Sequence, residues 1–123
     1  MGLVECVPNF SEGRRPEVVE QILAEIRAVR GVKLIDHSMD ASHNRAVVTF
    51  VGEGAACREA AFRAIAKAKT LIDLTQHQGE HPRVGATDVV PFVPLEGSSM
   101  QDCVALAHEL GAGAPLAQAA IKR

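Results

Sequence analysis

The sequence predicts an α/β, two-layer sandwich of the ferredoxin-like kind, with helices packed on one face of a mixed sheet. Three observations predict it. Four short runs are rich in β-branched residues. Three longer stretches repeat apolar residues at helical spacing. The two kinds of segment follow one another in the order βαββαβα, which two packed layers satisfy. With 123 residues, 47% apolar and 23% charged, the chain has the size and balance of one domain over 1–123, burying roughly two-thirds of its unfolded surface.

The elements follow in order. Residues 3–7 form a short buried strand, and Asn9-Phe10-Ser11-Glu12-Gly13 turns the chain. Pro16 suits a first helical turn, where its missing N–H costs nothing. Val19, Ile22, Leu23, Ile26 and Val29 then recur at helical spacing, and Gly31 closes that helix. Residues 32–36 and 45–51 are the second and third strands, joined by the polar loop 37–44. An Ala-rich helix covers 54–71. A polar loop punctuated by Gly and Pro spans 75–87, and 88–93 is the fourth strand. Ser99 caps a third helix, with Asp102 at capping-box distance, and Gly111 ends it. The Ala-rich tail 112–123 carries no assignable pattern. Without Trp or Tyr, the core falls to Val, Ile, Leu, Ala and the four Phe.

Composition excludes several function classes. A formal charge of −2 gives no pull toward nucleic acid. No run is long and apolar enough to cross a membrane. The start has no basic region or apolar stretch of a signal peptide. Gly2 fails as a myristoylation site because position 6 is Cys. Cys6, Cys57 and Cys103 are odd in number and widely spaced, so they read as reduced, buried thiols of a cytoplasmic protein.

The chemistry concentrates in one loop. Residues 76–88 read QHQGEHPRVGATD, with two His, Glu80, Arg83 and Asp88. Ionisable groups on a loop between helix and strand are how a scaffold presents a site, although a solvated connector also fits this composition. His77 to His81 matches H-x-x-E-H, a zinc-protease pattern. That reading needs both His on one helix face. Gly79 weakens a helix there, and Pro82 disfavours helical geometry at His81, so no metal is expected.

Three separated blocks carry a resemblance. They are Glu5-Cys6-Val7-Pro8-Asn9-Phe10-Ser11-Glu12-Gly13, then Asn44-Arg45 with Thr49-Phe50-Val51-Gly52, then Gly79-Glu80-His81-Pro82-Arg83 with Gly85-Ala86 and Asp88-Val89-Val90-Pro91-Phe92. In this order they resemble the amino-terminal subdomain of the formiminotransferase family, from about Val4 to Leu110. The resemblance implies transfer of a formimino group from N-formimino-L-glutamate to tetrahydrofolate, a substrate held between two α/β subdomains. A formyl donor, nearly isosteric, stays open.

The resemblance places the family's catalytic histidine at His81. One imidazole with a pKa near ~6.5 can take a proton from an attacking nitrogen and give one to a departing nitrogen. Glu80 is then placed to orient that ring. Both substrates carry glutamate carboxylates, which arginine grips bidentately. Arg45, Arg83 and Arg14 are the candidates, with a solvated surface charge as the other reading of each. Asn9 and Asn44 either present amides to the ligand or form turns. Gly79 and Asp88 complete the binding set. His37 and His43 flank the second loop, and His108 reads as packing in the third helix.

The sequence also departs from the family. Ser38 and Ser42 stand where members often carry acids, which leaves Asp40 as the acidic partner for His81. The tail does not read as the strand that usually follows the third helix, and the second subdomain is expected to be absent. An unpaired sheet edge would then favour a homo-oligomer, or pairing with a separately encoded second subdomain. A non-catalytic folate-binding or interaction module is the alternative reading.

Overall fold

The computed structural model describes residues 2–72, 85–113 and 119–121. The elements run β1 (Leu3–Cys6), β2 (Asn9–Phe10), α1 (Pro16–Arg27), β3 (Val32–Asp40), β4 (Arg45–Glu53), α2 (Gly54–Leu71), β5 (Thr87–Pro94), α3 (Met100–Gly113) and β6 (Ala119–Ile121). The result is a mixed α/β architecture of one sheet and three helices.

β1 and β2 share a single path through the middle of the sheet. Each pairs antiparallel with β4 on one side and β5 on the other. The stretch 9–13, expected to be only a turn, therefore begins as strand. Pro8 interrupts the path because it has no N–H to donate. The ladder is bridged there by Val7 N–H to the Pro91 carbonyl at 3.1 Å and Val48 N–H to the Pro8 carbonyl at 3.0 Å.

β3 is longer than the sequence predicts, ending at Asp40 rather than at residue 36. It pairs with β4 from Val32↔Gly52 to Asp40↔Arg45, with an irregularity between Leu34 and Asp36. Residues 37–40 read as loop because they are polar. Among the described residues β3 pairs with β4 alone, and its residues 35–39 face solvent, Ile35 and Met39 included.

Two helix ends also move. α1 stops at Arg27 with Ala28 as its cap, and Gly31, at φ +89°, turns the chain into β3. α3 continues through Gly111 to Gly113. Its start matches expectation, with Ser99 Oγ accepting from Asp102 N–H at 3.1 Å and Asp102 Oδ2 accepting from Ser99 N–H at 3.0 Å.

The tail does supply a strand. β6 pairs in parallel with β5, from Val90↔Ala119 to Phe92↔Ile121. The expected open edge on β5 is thus covered, and the argument for oligomers through that edge goes with it. The tail escapes a sequence reading because three Ala/Ile residues carry too short a pattern.

β4 alternates cleanly, burying Ala46, Val48, Phe50 and Gly52. These join Val4, Cys6, Phe10, Val90 and Phe92 against Ile22, Leu23 and Ile26 of α1, Ala60, Ala61 and Ala64 of α2, and Leu106 and Leu110 of α3. Two expectations fail here. Phe62 lies outside the core, 40% exposed, and His108 is exposed rather than packed. The three cysteines are buried free thiols, as expected.

Candidate functional site

The turn between β2 and α1 organises one corner of the molecule. Ser11, Glu12 and Gly13 are all buried, so each polar group there needs a partner. Glu12 supplies several. Its Oε2 accepts from the backbone N–H groups of Arg14 and Arg15, both at 3.0 Å, and its Oε1 accepts from Arg15 Nε at 2.8 Å. The carboxylate thereby satisfies N–H groups at the start of α1 and favours the positive end of the helix dipole.

The same turn reaches three other places. Ser11 Oγ donates to the Gly85 carbonyl at 2.9 Å, and Ser11 N–H donates to the Ala86 carbonyl at 2.8 Å. Arg15 Nη2 donates to the Leu71 carbonyl at 3.2 Å. Leu71 ends α2, and Gly85 precedes β5. Residues 11–15 therefore pin both flanks of the segment 73–84, which carries His81. Finally, Gly13 lies against the β3–β4 turn, where a Cβ would come within 2.3 Å of the Asp40 carbonyl oxygen and 2.4 Å of Arg45 N.

That turn, residues 41–44, holds the remaining predicted groups. Asn44 is buried with φ +51°, and its Oδ1 accepts from Gly13 N–H at 2.7 Å. Arg14 Nε donates to the Ala41 carbonyl at 2.8 Å. Asp40 Oδ1 accepts from Ser42 N–H at 3.0 Å and His43 N–H at 3.2 Å, while Oδ2 lies 2.8 Å from His43 Nδ1. The side-chain bond from His43, then the backbone bond from the same residue, hold the Asp40 carboxyl below its ordinary pKa.

The sequence-predicted residues thus divide. Asn44 and Arg14 are tied to backbone groups of neighbouring segments, which gives them structural work. Asn9, half-buried on β2, donates from its amide nitrogen to the Val7 carbonyl at 3.1 Å. Asp40 closes its own turn and pairs with His43. Arg45 opens β4 directly opposite Asp40, and its buried Nε makes no hydrogen bond among the described residues. Asp88, on β5, is half-buried. Gly79, Glu80, His81 and Arg83 lie outside the described residues, as does His77. His37 is exposed on β3.

Ser38 pairs with Val47 in the same register that sets Asp40 against Arg45. Ser38 and Asp40 are two apart on one strand, so both project from one face of the sheet. The residues that sequence reasoning missed are Ser11 and Glu12. Both stood inside the first matching block. A polar pair directly after an apolar strand, with Glu three residues before Arg15, was the available signal.

Among the described residues, no group of three or more His, Cys, Asp or Glu side chains is arranged to hold a metal, and no helix is long and apolar enough to cross a membrane.

Residues 3–118 match the family described as the formiminotransferase domain, N-terminal subdomain. The chain is 48% identical over 108 residues to a glutamate formimidoyltransferase of Streptococcus pyogenes, covering 88% of this chain and 36% of that protein. It is 52% identical over 111 residues to a glutamate formimidoyltransferase of Thermoplasma acidophilum, covering 90% and 37%. It is 49% identical over 109 residues to a formimidoyltransferase-cyclodeaminase of Mus musculus, covering 89% and 20%. The chain therefore spans just over a third of the length of the two formimidoyltransferases.

Proposed function

The chain belongs to the formiminotransferase N-terminal subdomain family, and from that premise we propose that it forms one wall of a site moving a formimino group from N-formimino-L-glutamate to tetrahydrofolate. One observation carries the reading. Described parts of the three blocks, far apart in sequence, meet at one corner: Ser11 bonds to Gly85 and Ala86, Gly13 bonds to Asn44 and abuts the β3–β4 turn, and Arg15 reaches the end of α2, so residues 11–15 hold both flanks of the segment that carries His81.

The chemistry assigns the roles. The folate nitrogen attacks the formimino carbon and forms a tetrahedral adduct. His81 takes the proton released from the attacking nitrogen. It then delivers a proton to the departing glutamate nitrogen as that C–N bond breaks, regenerating neutral imidazole. Such a group contributes about 10²–10⁴-fold. Glu80 orients the ring. Arg45 and Arg83 receive glutamate carboxylates, and the half-buried guanidinium of Arg45, with its uncommitted Nε, suits a bidentate partner. The opposite wall of the cleft comes from a second α/β unit, since the formimidoyltransferases that match here are more than twice as long as this chain. The reduced thiols fit a cytoplasmic setting.

Ser38 favours a second reading. It occupies a face shared with Asp40 and adds no ionisable group there, so the chain binds the glutamate-bearing ligand with little turnover.

Calorimetric titration with a tetrahydrofolate analogue, with and without formiminoglutamate, tests both readings when followed by a transfer assay. The assay includes the second subdomain supplied as a separate chain. The transferase reading expects binding and transfer, with His81→Ala losing transfer and keeping affinity. Binding without transfer selects the second reading. No binding of either ligand overturns both.

A further inference from the structure

Asp40 and Arg45 close the β3–β4 hairpin as directly opposite residues. Such neighbours project from one face of the sheet with Cβ atoms about 5 Å apart. That face is the one turned away from the helices, since Ala46, the next residue, belongs to the core. An acid and a base so placed are within reach of each other. Here they do not pair. Among the described residues, the ion pair of Asp40 is with His43, and the buried Nε of Arg45 has no hydrogen-bond partner.

The turn explains why. It occupies both carboxylate oxygens of Asp40. Oδ1 accepts from the N–H groups of Ser42 and His43, at 3.0 and 3.2 Å, and Oδ2 lies 2.8 Å from His43 Nδ1. An ionised carboxylate only accepts, so the imidazole presents its Nδ1 proton to this contact. Arg14, another cation at the turn, is committed to the Ala41 carbonyl at 2.8 Å. The charge of Arg45 is left unanswered by the acid opposite.

We propose that His43 is a positioning residue: by holding Asp40 Oδ2 in the turn, it withdraws that carboxylate from Arg45 and leaves the guanidinium to a carboxylate of the bound ligand. This rests on the reading above, in which Arg45 receives a glutamate carboxylate. An arginine fork takes one carboxylate bidentately. An internal carboxylate seated on it would have to be displaced, and a tethered competitor acts at high effective concentration. Losing the single bond from His43 is enough to free Oδ2 for Arg45, because the two residues already share a face and a register position.

Two measurements on the 123-residue chain test this at low salt: calorimetric titration with N-formimino-L-glutamate, and the nitrogen–proton resonance of Arg45 Nε, assigned by its loss in Arg45→Gln. Arg45→Gln should weaken binding, which checks the premise. His43→Ala should raise Kd about two- to fivefold, the scale of one exposed ion pair, and shift the Arg45 resonance before any ligand is added. His43→Asn, whose amide nitrogen can stand in for Nδ1, should recover most of what His43→Ala loses. Adding Asp40→Asn to His43→Ala removes the competing charge and should bring back both affinity and resonance. A merely structural role for His43 predicts no such rescue, because the double variant disturbs the turn further. A parent that binds no formiminoglutamate, or an Arg45→Gln variant that binds as the parent does, overturns the carboxylate role of Arg45 and this proposal with it. If Arg45→Gln weakens binding while His43→Ala changes neither affinity nor resonance, or Asp40→Asn recovers neither, the role of His43 alone is overturned.

Discussion

The side-chain oxygen of Asn44 accepts a 2.7 Å hydrogen bond from the backbone N–H of Gly13, joining the β3–β4 turn to the turn before α1. Asn44 serves twice here, because its φ of +51° is one that Asn adopts more readily than most residues. Asn44→Ala should lose both contributions and destabilise the chain by about 2–4 kcal/mol, combining a buried donor left unpaired with left-handed backbone strain. Asn44→Gly loses only the bond and should recover about 1 kcal/mol of that. Urea unfolding of the two variants beside the parent separates the terms.

Gly13 is the other half of that junction. A Cβ placed there meets backbone atoms of Asp40 and Arg45 on the far side of the turn, and backbone cannot swing aside as a flexible side chain can. Gly13→Ala should cost about 1–3 kcal/mol through overpacking. It should also weaken binding of glutamate-bearing ligands, because the turn carrying Arg45 must shift. A thermal melt and a ligand titration on the same variant check the pair.

Asp40 predicts a small acid-sensitive component of stability. Its folded-state pKa is depressed, chiefly by the His43 side chain. Its contribution is therefore complete above the unfolded carboxylate pKa of about 3.9 and is lost as pH falls below that through the folded value. Asp40→Asn should remove this component, leaving the variant slightly less stable than the parent near neutrality and level with it in acid. Thermal midpoints between pH 2 and pH 6 should fall more steeply in the parent than in the variant.

The cysteines should be silent toward thiol reagents in the folded chain. Burial pushes the Cys57 thiol up to about 12 and also raises Cys6, which the neighbouring Cys57 raises further, and Cys103. Thiolate is the reactive form. Ellman's reagent at pH 8 should report almost no reaction in native protein and all three thiols in guanidinium chloride.

Ser38→Asp asks whether the exposed face of β3 limits transfer. Ser38 lies two residues before Asp40 and opposite Val47, and a carboxylate there would set a second acid on the face that Asp40 shares. Transfer in the presence of the second subdomain should rise by about tenfold or more, the scale of a better-poised proton-transfer group. A rate unchanged from the parent would mean that Ser38 does not limit transfer.

Much of this fold was legible because its core elements obey simple periods. The alternation of Ala46, Val48 and Phe50 marks β4, and the spacing of Ile22, Leu23 and Ile26 marks α1. Edge strands obey them poorly. The end of β3 is mostly polar, with β4 as its one neighbour among the described residues, and β6 is too brief to show a pattern. At the site, sequence brought Asn44, Arg14 and Asp40 to attention by residue type. It could not show that two of them hold backbone groups and that the third closes its own turn. Glu12 went unremarked because a carboxylate is usually a surface group, and only the fold reveals the N–H groups gathered round it.

The central path of β1 and β2 has a bearing on how the molecule is made. Glu5 leaves the ribosome before either of its partners, Val51 and Val93. This apolar segment must wait for most of the sheet to emerge before its second side is covered. Long-range pairing of this kind is slow, and the waiting strand is open to mispairing with other nascent chains. Yield in the cell should depend on what shields those few residues during translation.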